Sequence, residues 1–141
     1  MNLRQIAAVS AVMSLVSLCY GQSASLTANT AVVSAGSVVT LTASASYSGA
    51  PAAAGWSLVL PEGWTFVATT GPDVPQIGPE AGATGTLEWA YASVPETAAR
   101  FTISVKAAGK SGAVQLKPKV YLRIDGKQRE VEVASVNVTV G

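Results

Sequence analysis

Apolar and polar residues alternate along most of the chain after position 37, which is the signature of strands with one face buried and one wet. In SVVTLTASAS, Val39, Leu41, Ala43 and Ala45 fall on one face and Thr40, Thr42, Ser44 and Ser46 on the other. Trp56, Leu58 and Leu60 share a face, as do Leu87, Trp89 and Tyr91, and Phe101, Ile103 and Val105. The longest run is VQLKPKVYLRID, with Leu116, Pro118, Val120, Leu122 and Ile124 set against Gln115, Lys117, Lys119, Tyr121, Arg123 and Asp125. A proline has no N–H for a ladder, so Pro118 marks this strand as an edge or as bulged there.

Asp125-Gly126 follows, a two-residue hairpin turn that needs positive φ. On the return strand the valines change phase, from odd at Val131 and Val133 to even at Val136, Val138 and Val140. One extra residue at Ala134-Ser135, a β-bulge, keeps both sets on the core side. No stretch of ten residues after position 22 carries a helical period, and SYSGAPAAAG, LPEGW, TTGPDVPQIGPEAGATG and KAAGKSG read as turns or loops. Seven to nine short strands spaced in this way predict an all-β fold, a single antiparallel β-sandwich of the immunoglobulin-like type.

The first segment has a different character. MNLRQIAAVSAVMSLVSLCYGQ holds Arg4, then an apolar run from Ile6 to Tyr20 broken only by serines, then small and polar residues. That is the pattern of an export signal, expected to be cut after Gly21, and the run is shorter than the roughly 20 apolar residues that span a bilayer. Leu18 stands before Cys19 where lipid attachment wants a small residue, so Cys19 belongs to the discarded segment. Residues 1–21 are therefore expected to be a signal peptide and 22–141 one domain, secreted or periplasmic, without stable membrane insertion after cleavage. That domain contains no cysteine and no histidine. It folds on its core alone, without disulfides. With 49% apolar and 12% charged residues the chain is not of a disordered type.

The order of pieces then becomes informative. TLTASASYS, GWSLVLPEGWTFVATTG, GTLEWAYAS, ARFTISVKAAGKSGAVQLKPKVYL and VEVASVNVTV resemble, in strand order and texture, the cohesin-like and carbohydrate-binding-module-like β-sandwich modules of secreted bacterial proteins. The resemblance covers most of residues 25–140 and transfers no site residue. It implies a non-catalytic module used for attachment to another protein or to a glycan.

Two sets of side chains are candidates for such a site. Trp56 is in phase with Leu58 and Leu60 and reads as core. Trp64, in phase with Phe66 and Ala68, and Trp89 and Tyr91, in phase with Leu87, read as core if those faces are inner. A slip of one residue turns them outward, where Trp64, Trp89 and Tyr91 form a platform for sugar rings. The second set comes from charge. Between Gln22 and Ala99 there is no Lys or Arg, whereas Arg100, Lys106, Lys110, Lys117, Lys119, Arg123, Lys127 and Arg129 follow within thirty positions. Lys117, Lys119 and Arg123 flank Tyr121 on one face, with Arg129 expected near them across the hairpin. This stripe suits an acidic polysaccharide, a lipid head group, or the acidic half of another copy of the chain. The plainer reading is a solvated face whose lysines blunt an edge strand.

Catalysis has little footing. No histidine is present to activate a serine, no Gly-x-Ser-x-Gly elbow occurs, and the acidic residues form no recurring pair. Asp73 and Glu80 share a loop without the spacing of a calcium site. The expectation is therefore an exported module with no enzymatic activity, metal or cofactor, mediating protein–protein attachment or adhesion. The alternative is a carbohydrate-binding module for an extracellular polysaccharide. Nucleic acid is not expected as a partner, because the domain is exported and its charges balance.

Overall fold

The computed structural model describes residues 23–47, 51–95, 97–108 and 111–141; the expected signal segment, Glu96 and Lys110 lie outside them. Among the described residues ten strands run in chain order as β1 (Ser23–Ala28), β2 (Val32–Val33), β3 (Val38–Ser46), β4 (Ala53–Val59), β5 (Thr65–Thr70), β6 (Thr86–Ala90), β7 (Ala98–Lys106), β8 (Gly112–Ile124), β9 (Lys127–Val131) and β10 (Val136–Val140). They form two sheets, one of four strands in the order β1-β3-β7-β5, the other β2-β10-β8-β4-β6 with β9 paired beside β8. Among the described residues only the short β2–β10 pair is parallel. The chain is an all-β sandwich, with no helix among the described residues.

The alternation in the sequence becomes the inner faces of the two sheets. Val39, Leu41, Ala43, Phe101, Ile103 and Val105 are buried from the four-stranded side. Trp56, Leu58, Leu87, Trp89, Leu116, Val120, Leu122 and Val138 are buried from the other. Asp125 and Gly126 have φ of 53° and 75°, as a type I′ turn requires, and Ile124 pairs with Lys127 across it. The phase slip also has its counterpart. Val120 pairs with Val131 but Leu116 with Val136, so four steps along β8 are matched by five on the return strand. The extra residue lies within 132–135.

The structure corrects one expectation. β8 is not an edge: β4 flanks it on one side, β10 and then β9 on the other. Pro118 pairs with Leu58 of β4, and on its other flank it faces the interval between the end of β9 and the start of β10. A missing N–H is tolerated there because that ladder is already interrupted. The lysines of β8 therefore do not blunt an edge.

Candidate functional site

Trp64, Trp89 and Tyr91 lie in the core, at 1%, 3% and 7% exposure, with Trp56 at 3%. They are not an exposed row of rings. Trp64 follows a tight turn in which its N–H donates to the Pro61 carbonyl and Gly63 takes a φ of 87°, and its ring is turned fully inward. Trp89 Nε1 donates to Thr69 Oγ1 at 2.9 Å, so its polar edge is satisfied inside the protein.

The basic residues occupy the outer face of the sheet that contains β6, β4 and β8. Lys117, Lys119 and Arg123 are exposed and Tyr121 is half-buried among them. Directly paired residues project to the same side, so the registers give the layout of this face. Thr86, Val59 and Lys117 form one row, and Glu88, Ser57 and Lys119 the next. Ala90, Gly55 and Tyr121 form a third row, which Glu130 of β9 extends, and Ala53, Arg123 and Gln128 a fourth. Arg129 pairs with the inward-facing Leu122 and so belongs to the opposite side of its ladder, not beside the lysines as the hairpin alone suggests.

Small residues on β4 leave a trough between the taller side chains of its neighbours. A groove of about 270 Å³ has Gly55, Ser57 and Ala90 as its floor and Tyr121, Ile77 and Glu88 around it. A second hollow of about 220 Å³ lies on the other side of Tyr121, toward Ala53, Arg123 and Gln128. Gly55 is closely fitted: a Cβ there would stand 3.1 Å from the Trp89 carbonyl oxygen, tighter than most such contacts. The wall opposite Tyr121 comes from the long loop. Ile77 and Ala90 exchange backbone hydrogen bonds of 3.1 and 2.9 Å, and Gly78 sits so close over the Trp89 ring that a Cβ would lie 2.9 Å from Cδ1. Ile77 is thereby held out at 59% exposure.

Sequence reasoning located Tyr121 and its cations but not the groove beside them. Gly55, Ser57, Glu88 and Ala90 do occupy the outward phase of their strands, which is the signal that was available. Ile77 carries only the oddity of an isoleucine in a Pro/Gly-rich loop. Among the described residues no three of His, Cys, Asp and Glu come together to hold a metal ion. The surface is an apolar cleft with one aromatic wall, cations along one side and a carboxylate on the other.

No protein-family model matches the chain, and no curated protein matches it. Solved structures do. A non-cellulosomal cohesin from the hyperthermophilic archaeon Archaeoglobus fulgidus superposes with a TM-score of 0.60 at 11% identity, over 84% of this chain and 91% of that one. A type I cohesin in complex with a dockerin, from Clostridium thermocellum, gives 0.57 at 8% identity over 89% and 98%. The major pilin SpaD of Corynebacterium diphtheriae gives 0.60 at 10% identity, over 94% of this chain but 37% of the pilin. At such identities what is shared is the fold, a cohesin-like β-sandwich.

Proposed function

We propose that this cohesin-like sandwich is an exported, non-catalytic attachment module that docks a partner protein on the outer face of β6, β4 and β8. The observation that carries the reading is the groove floored by Gly55 and walled by Tyr121 and Ile77, with Lys117, Lys119 and Arg123 along one side. Burial of all three tryptophans and of Tyr91 withdraws the rings that a sugar platform needs, which favours protein over polysaccharide. One of the similar cohesins was solved in complex with a dockerin, and protein docking is the property carried over to this chain. The partner supplies an apolar side chain for the groove and acidic groups for the cations. Aromatic and cationic groups around an apolar centre are what concentrate binding energy at interfaces, while the charges set encounter rate and specificity.

The test is affinity capture from the exported proteins of the source cell, followed by measured binding of the captured partner. Wild type should bind at about 0.1 M salt and weaken strongly at about 1 M, where the screening length falls from about 10 to about 3 Å. Lys117→Glu/Lys119→Glu/Arg123→Glu should weaken binding about tenfold or more, about 1.4 kcal/mol for each factor of ten. A partner held equally by that variant places docking elsewhere. Tyr121-dependent binding to an acidic polysaccharide, with no protein partner, turns the function to glycan recognition.

A further inference from the structure

We infer that the face docks a second copy of this chain, the two sheets meeting face to face about a twofold axis that runs along β4. The inference rests on the reading of this face as a docking surface and names its occupant. Its basis is the distribution of charge and bulk across three adjacent strands. In the second row Glu88 stands on β6, Ser57 on β4 and Lys119 on β8, with both charged residues exposed. In the third row Ala90 stands on β6, Gly55 on β4 and Tyr121 on β8. Both rows have the same form. The β4 position is small, and the two flanking positions are complements of each other, acid against base in one and small against large in the other.

A twofold axis lying in the interface along the central strand exchanges the two flanks and keeps each row in place. Every residue of β6 then faces the residue of the same row on β8 of the second copy. Glu88 of each copy meets Lys119 of the other, and Tyr121 of each copy enters over Ala90 and Gly55 of the other. That space is the groove. Its volume of about 270 Å³ exceeds the roughly 150 Å³ that suffices for a benzene ring, so a phenol ring fits between Tyr121 and Ile77. The contact is isologous, each copy giving one ring and receiving one, and it closes at two copies. The strands of the two sheets run aligned, the arrangement that stacked twisted sheets adopt within about 30°. Three short strands make a small patch beside the roughly 1,200–2,000 Å² of stable complexes, so the pairing is weak and concentration-dependent.

The charge pattern supplies a test that folding defects cannot imitate. Glu88→Lys alone sets cation against cation in both contacts, and Lys119→Glu alone sets acid against acid. Sedimentation of the whole exported protein should show wild type passing from monomer to dimer as concentration rises toward about 1 mM, the range of weak complexes. Each single reversal, and Tyr121→Ala, should weaken pairing tenfold or more. Lys106→Glu, on the other sheet, should leave it unchanged. Mixing the two single reversals in equal amounts should restore a heterodimer, because both contacts then join opposite charges. Wild type that stays monomeric throughout, a dimer indifferent to Tyr121→Ala and both reversals, or a mixture that stays monomeric overturns the self-pairing. If self-pairing fails while a different captured protein still loses affinity on Lys119→Glu and Tyr121→Ala, the docking reading survives; if that protein too is indifferent, both fall.

Discussion

Tyr47 and Tyr91 carry two phenol hydroxyls into the interior, and their surroundings treat them differently. The Tyr91 hydroxyl donates to the Asp73 carbonyl, and Asp73 is itself fixed to β7, its N–H donating to the Arg100 carbonyl and its carboxylate accepting from the Arg100 N–H. Among the described residues the buried Tyr47 hydroxyl has no partner. A buried polar group without a partner costs about 1–3 kcal/mol, so Tyr47→Phe should leave stability unchanged or raise it. Tyr91→Phe strips the Asp73 carbonyl of its donor and should lower stability by about 1 kcal/mol. Urea unfolding of the two variants measures both. Alkaline titration gives a second readout. Burial first, then the charges nearby, raises both phenols above their ordinary value of 10.0, Tyr91 the further of the two. The folded state thus holds its phenol protons more tightly than the unfolded chain. The stability that these two phenols contribute by this linkage is fully present below pH 10.0 and is lost as pH rises beyond it, and Tyr47→Phe should make that decline shallower. The inward turn of Tyr91 is legible in the sequence, since it continues the phase of Leu87 and Trp89, whereas Tyr47 falls in SYSGAPAAAG, which reads as a loop, and its burial was not foreseen. The acceptor of Tyr91 is not legible either, because Asp73 arrives from a loop eighteen residues before it and no local pattern brings it there.

Strand β8 shows the same division at the next scale. Its alternation, the Asp125-Gly126 hairpin and the phase slip among the valines are local signals, and each has its counterpart in the structure. Pro118 is a local signal with two readings, an edge or a bulge, and only the first misleads. Nothing nearby tells that two separate strands, β9 and β10, divide one flank of β8 between them and leave Pro118 facing the interval that holds the extra residue. The groove was hidden for a related reason: its floor is β4, but its wall, Ile77, is set by a backbone bridge to Ala90 on another strand. The interval beside Pro118 fixes the register of everything after it. Deleting Ser135 removes the extra residue, and a slip of one position turns Val136, Val138 and Val140 from the core to solvent. These three are buried at 8%, 1% and 1% exposure. At about 1.5–2 kcal/mol for each buried valine the deletion should cost about 5 kcal/mol, comparable with the whole stability of a small domain. Glu132→Ala, in the same segment but exposed, should change the urea midpoint little. A deletion no more harmful than that substitution would show that β10 does not depend on the extra residue.

Across the molecule the two sheets are joined by one group of rings. Trp56 of β4 meets Phe101 of β7 edge-on at 5.7 Å between centroids, Trp89 of β6 meets Phe66 of β5 at 5.9 Å, and Phe101 also faces Trp89 and Tyr91 at 6.2 and 6.4 Å. Phe101 and Phe66 belong to the four-stranded sheet and the others to the opposite side, so these contacts cross the sandwich rather than run along one layer. The described residues contain no cysteine. Holding the sheets together therefore falls to apolar burial, to which each such pair adds about 0.5–1.5 kcal/mol beyond its area. Separating the sheets anywhere in this group exposes rings from both, which couples the sandwich into one cooperative unit. Trp56→Ala removes one of the largest members and leaves a cavity against Phe101, so the loss should be about 3–5 kcal/mol, close to the lower end of what a domain has. Wild-type tryptophan emission should be blue, shielded from iodide, and shifted red in a single step that coincides with loss of the far-ultraviolet β signal. In Trp56→Ala the same step should come at much lower denaturant, with Trp64 and Trp89 exposed together. A loss below about 1 kcal/mol, or iodide access to the remaining rings before the sheet signal falls, would mean that the sheets are not joined through this group.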